Sequence, residues 1–466
     1  ATSHNVYFGT TNPPPFIQNQ PGLSYDPEPM DPNTTYYWQI DETNGVTTWP
    51  GEIWSFTTGA VGVENMEFPD GMFVNVRDYG AYGDGVHDDT AVLEAIINGN
   101  DRTYLPNGTY LVSDTISWPR RKLVQGQNEH IPIIKLKDNE SKFQTDSRTV
   151  LQCYWNNNQT FANYIQNLTV NTGIGNPAAI GVRYNTHNNG AMRSVTIKTE
   201  DPAYVGKIGL DLTQTEFGPG LIKDVTVIGF DTGIKTPGNV SHATMEFITV
   251  MNQNNYGFEN YLPTSLRGFK SINTVPAIKN GPGGLSHLVL IEAQMQGGSP
   301  TNKAIVNNGN LYLRDIEASG YQAALQDGAV TVPGLTIDEY IKGEEYELFP
   351  SPDEHLKLPI LDPAPVYYEP VENWAYVSST SPDVTLYLQI FIDYGYETIY
   401  LDDGTYEIDD TIKVRDNVRR IVGNGATIKG PYSTFGDTKP LLRFEGTGTE
   451  PITVEFLQVQ TDVRGK

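Results

Sequence analysis

A single cysteine, Cys153, stands in 466 residues, which excludes an intrachain disulfide framework and any metal site built on several cysteines. No run of 18 apolar residues occurs, so the chain offers no candidate membrane-spanning helix. Basic residues are scarce: 31 Lys and Arg against 56 Asp and Glu leave a net charge of −25. Nucleic acid is therefore a poor partner, because binding to phosphates takes clustered Lys and Arg, and adhesion to an anionic membrane is disfavoured for the same reason. A solvated, self-repelling surface is the plain consequence, with cation binding the lesser alternative. No signal peptide opens the chain, which reads as though it begins inside a domain.

What is abundant is turn and strand chemistry. Forty-five Gly, 31 Pro and 27 Tyr, with many Asn and Thr, predict numerous short strands and few helices. At this length two or three domains are expected unless the chain is a repeat array. The stretch from Phe73 to Ile116 organises the rest. It runs Gly80-Ala81-Tyr82-Gly83-Asp84-Gly85, then Asp88-Asp89-Thr90, then a short amphipathic helix over Ala91 to Ile97, then Tyr104-Leu105-Pro106-Asn107-Gly108-Thr109-Tyr110. Asp88 or Asp89 is expected to cap the helix, since a short carboxylate accepts hydrogen bonds from first-turn amides. Asn107-Gly108 is expected to supply the positive φ of the following turn.

This wording resembles the opening cap of the pectate-lyase-superfamily right-handed β-helix, a fold also met in two-helix glucanases and in phage tailspikes. The resemblance implies a solenoid, and a repeat follows. Leu168-Thr169-Val170, Val195-Thr196-Ile197, Val225-Thr226-Val227, Ile248-Thr249-Val250, Phe269-Lys270-Ser271, Val289-Leu290-Ile291 and Arg314-Asp315-Ile316 recur at steps of 27, 30, 23, 21, 20 and 25 residues, each step one coil with a loop of variable length. Gly181-Val182, Gly209-Leu210, Gly233-Ile234 and Gly257-Phe258 form a second ladder. Equivalent side chains in successive coils should stack about 4.8 Å apart, and the ends of such a stack need caps.

The expected organisation is all-β: a partial fibronectin type III-like sandwich (1–59), a linker (60–72), a first parallel β-helix (73–330), an extended Pro-rich and acidic connector (331–373), and the incomplete start of a second β-helix (374–466). Residues Pro32 to Asp41 and Ile53 to Gly59 resemble the last strands of a fibronectin type III module whose first two strands are absent. There Tyr36, Trp38, Trp54 and Phe56 alternate with strand period. They read as core in preference to a sugar-stacking platform. In the connector, Tyr346, Leu348, Phe349, Leu356 and Leu358 would let the segment lie against a neighbouring surface. Beyond it the first cap returns in altered form: Ser381-Pro382-Asp383-Val384-Thr385 precedes a helical run from Leu386 to Ile392, and Ile399 to Tyr406 echoes Tyr104 to Tyr110. With one or two coils after that, the upper face would be bare, which suggests a piece of something longer.

Two tandem β-helices joined by an extended connector resemble the family 55 glycoside hydrolases, which cleave β-1,3-glucans from an end. The resemblance covers the layout of residues 73 to 466. It implies a general-acid glutamate in coils of the second helix that this chain does not contain, and no catalytic motif maps residue by residue. Polygalacturonases of the same fold keep Gly-His-Gly, Asn-Thr-Asp and Arg-Ile-Lys, none of which occurs here. A pectate lyase needs clustered carboxylates for calcium, and the acids of the first solenoid are spread out. No cofactor is expected; calcium is conceivable but has no motif behind it.

The local catalytic candidates are Glu292 and Glu317. Aligning Ile291-Glu292-Ala293-Gln294 with Ile316-Glu317-Ala318-Ser319 would stack the two carboxylates about 5 Å apart, near the separation of a retaining glycosidase pair, with one pKa raised by the other charge. The plainer alternative is a solvated outward stripe, which preceding coils continue with Asn171 and Lys198. His242 and His287 read as loop and strand-edge residues, Cys153 as a small buried apolar group, Gly281-Pro282-Gly283-Gly284 as a coil turn, and Asn156 to Asn158 with Asn188-Asn189 as turn residues or sugar-binding amides.

The functional expectation is a secreted or surface-located bacterial carbohydrate-active protein, a polysaccharide hydrolase or lyase. The partner would be polysaccharide, with no nucleic acid and no membrane insertion, and self-association could use open sheet or solenoid ends. The rival reading is a non-enzymatic surface or matrix protein in which β-helices act as rigid spacers and adhesive surfaces.

Overall fold

A computed structural model describes residues 2–22, 25, 35–57, 66–68, 72–128, 130–153, 160–213, 217–238, 241–282, 285–343, 359–361, 367–423, 425–436, 438–446, 448 and 450–461. The chain divides into two compact units, residues 1–64 with 361–369 and residues 65–360 with 370–466.

In the first unit Ser3–Gly9, Phe16–Gln20, Thr35–Thr43, Thr48–Trp49 and Trp54–Thr57 make one antiparallel sheet. Phe16–Gln20 pairs with Ser3–Gly9 directly after Pro13-Pro14-Pro15. Tyr36 is buried and stacks on Phe8 with ring centroids 5.1 Å apart. Trp38 lies opposite Trp54, but the two rings stay 37% and 57% exposed, so the expected core holds for Tyr36 and not for these tryptophans. The side chain of Phe56, and Pro32 to Thr34, Thr58 and Gly59, lie outside the described residues. No second sheet layer is found among the described residues of this unit.

Near the start of the second unit helix α1, Thr90–Gly99, buries Leu93, Ile96 and Ile97. Asp89 is its N-cap residue, yet its carboxylate turns to the preceding loop and accepts the amides of Tyr82 and Gly83 at 2.7 and 3.0 Å. Asp88 instead receives the Thr90 amide at 3.0 Å. Burial would raise the pKa of Asp88, but Lys137, Ser113 and Thr90 outweigh it and hold the carboxyl well below the usual range. Gly108 does not have the expected positive φ. It is glycine because a Cβ there would lie 2.5 Å from the Gly83 carbonyl oxygen.

From here two long sheets wind coil on coil, one of ten strands and one of fourteen. The Thr-Val triplets align as expected through the first five: Val170, Ile197, Val227, Val250 and Ser271 are successive partners. The glycine ladder runs in the opposite sheet, where Val182, Leu210, Ile234 and Phe258 are successive partners. The two ladders meet across the core. A Cβ on Gly181 would sit 2.4 Å from Ile197 Cγ2, on Gly209 2.2 Å from Val227 Cγ1, and on Gly257 2.8 Å from Val250 Cγ2. The glycines are therefore required by the close approach of the sheets to their β-branched partners.

Seven successive long strands bend at a residue with positive φ: Asn167, Ser194, Asp224, Phe247, Gly268, Glu292 and Asp315, all between 51° and 67°. One strand thereby serves two faces of the coil. Only one of the seven is glycine, so composition gives no warning of the bend.

At another corner Thr236, Asn260, Asn280, Asn307 and Asp327 form a buried ladder. Asn260 Nδ2 donates to Asn280 Oδ1 at 2.9 Å, Asn280 Nδ2 to Asn307 Oδ1 at 2.8 Å, and Asn307 Nδ2 to Asp327 Oδ1 at 2.9 Å. Tyr340 Oη donates to the other Asp327 oxygen at 2.8 Å, and Lys342 reaches it at 3.1 Å. Tyr340 and Lys342 belong to Thr336–Lys342, which with Val330–Val332 pairs antiparallel onto the last parallel strands. The start of the expected extended connector is thus an edge-covering ribbon, with Asp338, Glu339 and Lys342 along it. Tyr346, Leu348, Phe349, Leu356 and Leu358 lie outside the described residues.

Helix α2, Val384–Tyr394, stands where the second capped helix was expected, and Asp383 accepts the Leu386 amide at 2.9 Å. Around it are parallel sheets of four, three and two strands, the first of them begun by Ala375–Val377 ahead of the helix, with Tyr406 buried in their core as Tyr110 is in the first.

Two substitutions test the core. Gly209→Ala is expected to destabilise the protein by about 1–3 kcal/mol through overpacking, read as a lowered urea midpoint. Asn280→Ala should cost about 1–3 kcal/mol for each buried amide group it leaves without a partner. Unchanged midpoints would contradict the packing described.

Candidate functional site

Ahead of the bend, the long strands point alternate residues outward. Leu221, Thr244, Ser265, Val289, Tyr312 and Ile341 are successive partners in one row, and Lys223, Glu246, Arg267, Ile291, Arg314 and Glu339 in a second. The apolar residues between them, Ile222, Met245, Leu266, Leu290 and Leu313, are buried. Two hollows lie on the first row. One of about 440 Å³ is lined by Tyr164, Leu221, Thr244 and the turn Phe456-Leu457-Gln458. The other, of about 620 Å³, is lined by His287, Val289, Asn310, Tyr312 and Lys342. Ser265, exposed, joins them. From Leu221 to Tyr312 the lane rises four strand spacings, about 19 Å.

The cations of the second row are matched by acids in that row and at the bend. Lys223 Nζ lies 2.9 Å from Glu246, Arg267 Nε 2.9 Å from Glu292, and Arg314 Nε 3.2 Å from Asp315. Tyr312 Oη donates to Glu339 at 2.9 Å; burial first, then this bond to a carboxylate, raises the tyrosine pKa. At the bend row the Phe247 ring sits between Lys223 and Arg267, 5.3 and 5.7 Å from its centroid. Gly268 makes room for that ring, since a Cβ would lie 2.7 Å from Phe247 Cδ1.

Below the lane the C-terminal sheets cover the same flank. Met72, Phe73, Tyr104, Leu123, Tyr164 and Ala191 are buried together with Val371, Trp374, Tyr400 and Val422. Glu455 lies between Arg193 and Arg420, the latter at 2.7 Å, while Arg193 also lies over Phe456 and Arg420 over Trp374. Burial alone would push the Glu455 carboxyl up, but the two guanidiniums win and hold its pKa below the usual range. Nearby, Asp402 accepts the hydroxyls of Tyr376 at 2.9 Å and of Tyr406, with Arg102 3.3 Å away. The wall carrying Phe456 to Gln458 is therefore held by ion pairs at its base.

Glu292 and Glu317 do not come together as expected. Glu317 is opposite Gln294, because Ser271 pairs with Met295 and Ala293 with Ile316. Glu292 occupies the bend, at φ 58°, and faces Arg267. Val289-Leu290-Ile291 has the same apolar look as a Thr-Val triplet but belongs to the half of the strand before the bend. The lane itself was missed, although its signal is present: an apolar residue flanked by two outward ones recurs in Thr244-Met245-Glu246, Ser265-Leu266-Arg267 and Tyr312-Leu313-Arg314.

Cys153 is fully buried, accepts the Asn185 amide at 2.9 Å, and burial pushes its thiol up to about 12. His242 is an exposed loop residue and His287 opens the strand His287–Gln296. Gly283-Gly284, Asn156 to Asn158 and the side chains of Asn188-Asn189 lie outside the described residues. Among the described residues no group of three or more His, Cys, Asp or Glu could hold a metal ion, and no helix is long and apolar enough to cross a membrane.

Parallel strands stacked coil on coil define a parallel β-helix, a β-solenoid. Residues 73–285 match the family model described as rhamnogalacturonase A/epimerase, pectate lyase-like. The preneck appendage protein of Bacillus phage PZA is 23% identical over 303 residues, 58% of this chain and 33% of that protein; the chain spans about a third of the length of such relatives. Among solved structures, the phiAB6 tailspike in complex with oligosaccharides of Acinetobacter baumannii surface polysaccharide shares 13% identity at a TM-score of 0.44, over 62% of this chain and 60% of its own. The catalytic unit of the GH87 α-1,3-glucanase from Streptomyces thermodiastaticus shares 12% at a TM-score of 0.39, over 99% and 83%. At such identities the chemistry has to be read from the chain's own residues.

The buried triad makes a pH prediction. A carboxyl whose folded pKa is depressed contributes stability above its unfolded value, about 4.3, and that contribution is lost as pH falls through the lower folded value. Glu455→Gln should cost up to about 3–5 kcal/mol at neutral pH by removing the negative charge that faces the buried Arg420 and the half-buried Arg193, and should flatten the acid limb of a stability–pH curve. An acid limb identical to that of the unmodified protein would contradict this role.

Proposed function

We propose that the chain is the β-helical part of a secreted, bacterial or bacterial-surface protein that binds and processes polysaccharide along the lane from Leu221 to Tyr312. The observation that carries this reading is the match of residues 73–285 to a rhamnogalacturonase and epimerase model, because those coils include the lane's lower part, Leu221, Thr244 and Ser265. In this reading residues 374–466 begin a second β-helix that walls the lower end, and residues 1–59 derive from a fibronectin type III-like module. Fold likeness is a weak warrant for activity, so the lane's chemistry has to be tested directly.

A second reading, a rigid adhesive scaffold without turnover, is favoured by the likeness to a phage appendage protein and by the ion pairs that occupy Glu246, Glu292 and Asp315. One experiment separates the two. The protein is incubated with neutral and uronate polysaccharides, and retention, new reducing ends and unsaturated products are measured. Retention with either product supports an enzyme; retention alone supports the scaffold; no retention and no product on any substrate would sink both.

No cofactor enters the proposal. Treatment with EDTA is expected to leave retention and any turnover unchanged, and a loss restored by calcium would overturn that expectation. If turnover is found, Glu292→Gln and Glu317→Gln test the two carboxylates singly. A catalytic group should drop the rate at least about a hundredfold, and full activity removes that residue from consideration.

A further inference from the structure

Helices α1 and α2 do the same work for the two coil stacks, and they differ on the face that this work leaves free. Each lays a pair of aliphatic side chains onto its stack, Leu93 and Ile97 in one and Leu388 and Ile392 in the other. Each is also tied by a side-chain amide to a strand of its own stack, Asn98 Nδ2 donating to the Ser117 carbonyl at 2.6 Å and Gln389 Nε2 to the Lys413 carbonyl at 3.2 Å. With the buried pairs aligned, the outer positions Ala91, Ala95 and Gly99 of α1 correspond to Leu386, Ile390 and Tyr394 of α2. Closing a coil stack therefore asks nothing bulky or apolar of the outer face, as α1 shows. On α2 that face carries Leu386 at 52% and Tyr394 at 83% exposure, with Tyr387 and Ile390 exposed between them. At about 100° per residue the four lie within about 100° of the helix circumference, a continuous apolar stripe that the fold itself does not use.

Charge narrows what can cover the stripe. Helix α2 contains no Lys or Arg and the chain carries a net charge of −25, so an anionic membrane surface is repelled. The one charge within the helix, Asp393, is met by Arg415 at 3.0 Å and by the Gln389 amide at 3.0 Å, so a partner closing over the stripe strands no charge. The stripe also complements itself. Leu386 and Tyr394 stand four residues to either side of Ile390, so a second α2 laid antiparallel about a twofold axis through Ile390 sets Leu386 of each copy against Tyr394 of the other. The Asp383-capped N-terminus of each helix then approaches the C-terminus of the other, and the two helix dipoles oppose each other favourably. With a whole aromatic side chain covering about 150–250 Å², the exposed parts of the four come to roughly 400 Å² a copy and about 800 Å² for the pair, at the low end of specific interfaces. The association is accordingly weak and reversible.

We infer that the outer face of α2 is a homodimerisation surface, on which two copies of this chain pair their α2 helices antiparallel with Ile390 at the twofold axis. The inference goes beyond the polysaccharide reading and is independent of it, because no residue of the stripe belongs to the lane.

The test is sedimentation of the full chain over about a hundredfold range of concentration, at low and at high NaCl. The average mass is expected to rise from one chain toward two and to stop there. Added salt should strengthen the association by about twofold or more, because two chains of net charge −25 repel each other and salt screens that repulsion while leaving apolar contact in place. Leu386→Ala combined with Ile390→Ala gives α2 the outer residues of α1 and keeps its helix propensity; dimerisation should weaken at least about tenfold with the urea midpoint of the monomer not lowered. Ile390→Cys should form an interchain disulfide on mild oxidation, since the axis sets position 390 against itself, whereas Leu386→Cys should not; Cys153 is fully buried and does not compete. The mass of one chain at every concentration would overturn the inference and leave the polysaccharide reading, which is judged by retention, untouched. Assembly beyond two chains, a dimer weakened by salt, a dimer indifferent to the double substitution, or faster crosslinking at position 386 than at 390 would each overturn it too.

Discussion

The contact between a glycine in one sheet and a β-branched side chain in the other is the constraint from which the rest of the solenoid follows. Gly181 against Ile197, Gly209 against Val227 and Gly257 against Val250 bring the sheets closer than two ordinary side chains allow. A core this thin has no slack, so a shift of register in one coil would drive a methyl group into the backbone of the next. Outward rows are aligned because inward rows are. The lane, the asparagine ladder and the ion pairs all inherit their spacing from that packing.

Electrostatics follows a second economy. The chain carries 56 acidic residues and 31 basic ones, yet on its ordered faces opposite charges are placed in adjacent coils. On the far sheet Arg183, Asp211, Lys235, Glu259 and Lys279 alternate in sign as successive partners. Glu259 meets Lys235 at 3.2 Å and Lys279 at 2.9 Å, and burial of this carboxyl, which opposes ionisation, is outweighed by the two lysines, so its pKa is lowered. Stacked like charges would be destabilising at a spacing of about 4.8 Å, and alternation removes that penalty. The joint between the coil stack and the C-terminal sheets uses the same device around Glu455.

Much of this architecture is legible in the residues. The capping segment around Asp88 to Thr90, the recurrence of the triplets through Ser271, the glycine ladder and the second capped helix at Val384 were all readable, because each is a local pattern repeated at coil length. The bends were not. Six of the seven positive-φ positions are Asn, Ser, Asp, Phe or Glu, which carry no special mark. Without them the first half of each strand merges with the second, Val289-Leu290-Ile291 passes for a triplet, and Glu292 and Glu317 seem to stack. Gly108 looked like a turn glycine, whereas its small size answers a neighbouring carbonyl. The lane was hidden for a related reason: its residues share a position and not a chemistry, and position appears only once register is known.

The asparagine ladder has a polarity. Every amide from Asn260 to Asn307 receives a hydrogen bond on its oxygen and hands one on from its nitrogen, whereas the carboxylate of Asp327 can only receive. Relay stations can be duplicated or lost between the ends without upsetting the sense of the relay, but the terminus can be placed once. A lineage of such proteins is therefore free to lengthen or shorten by whole coils from within, carrying a longer or shorter surface on an unchanged pair of ends.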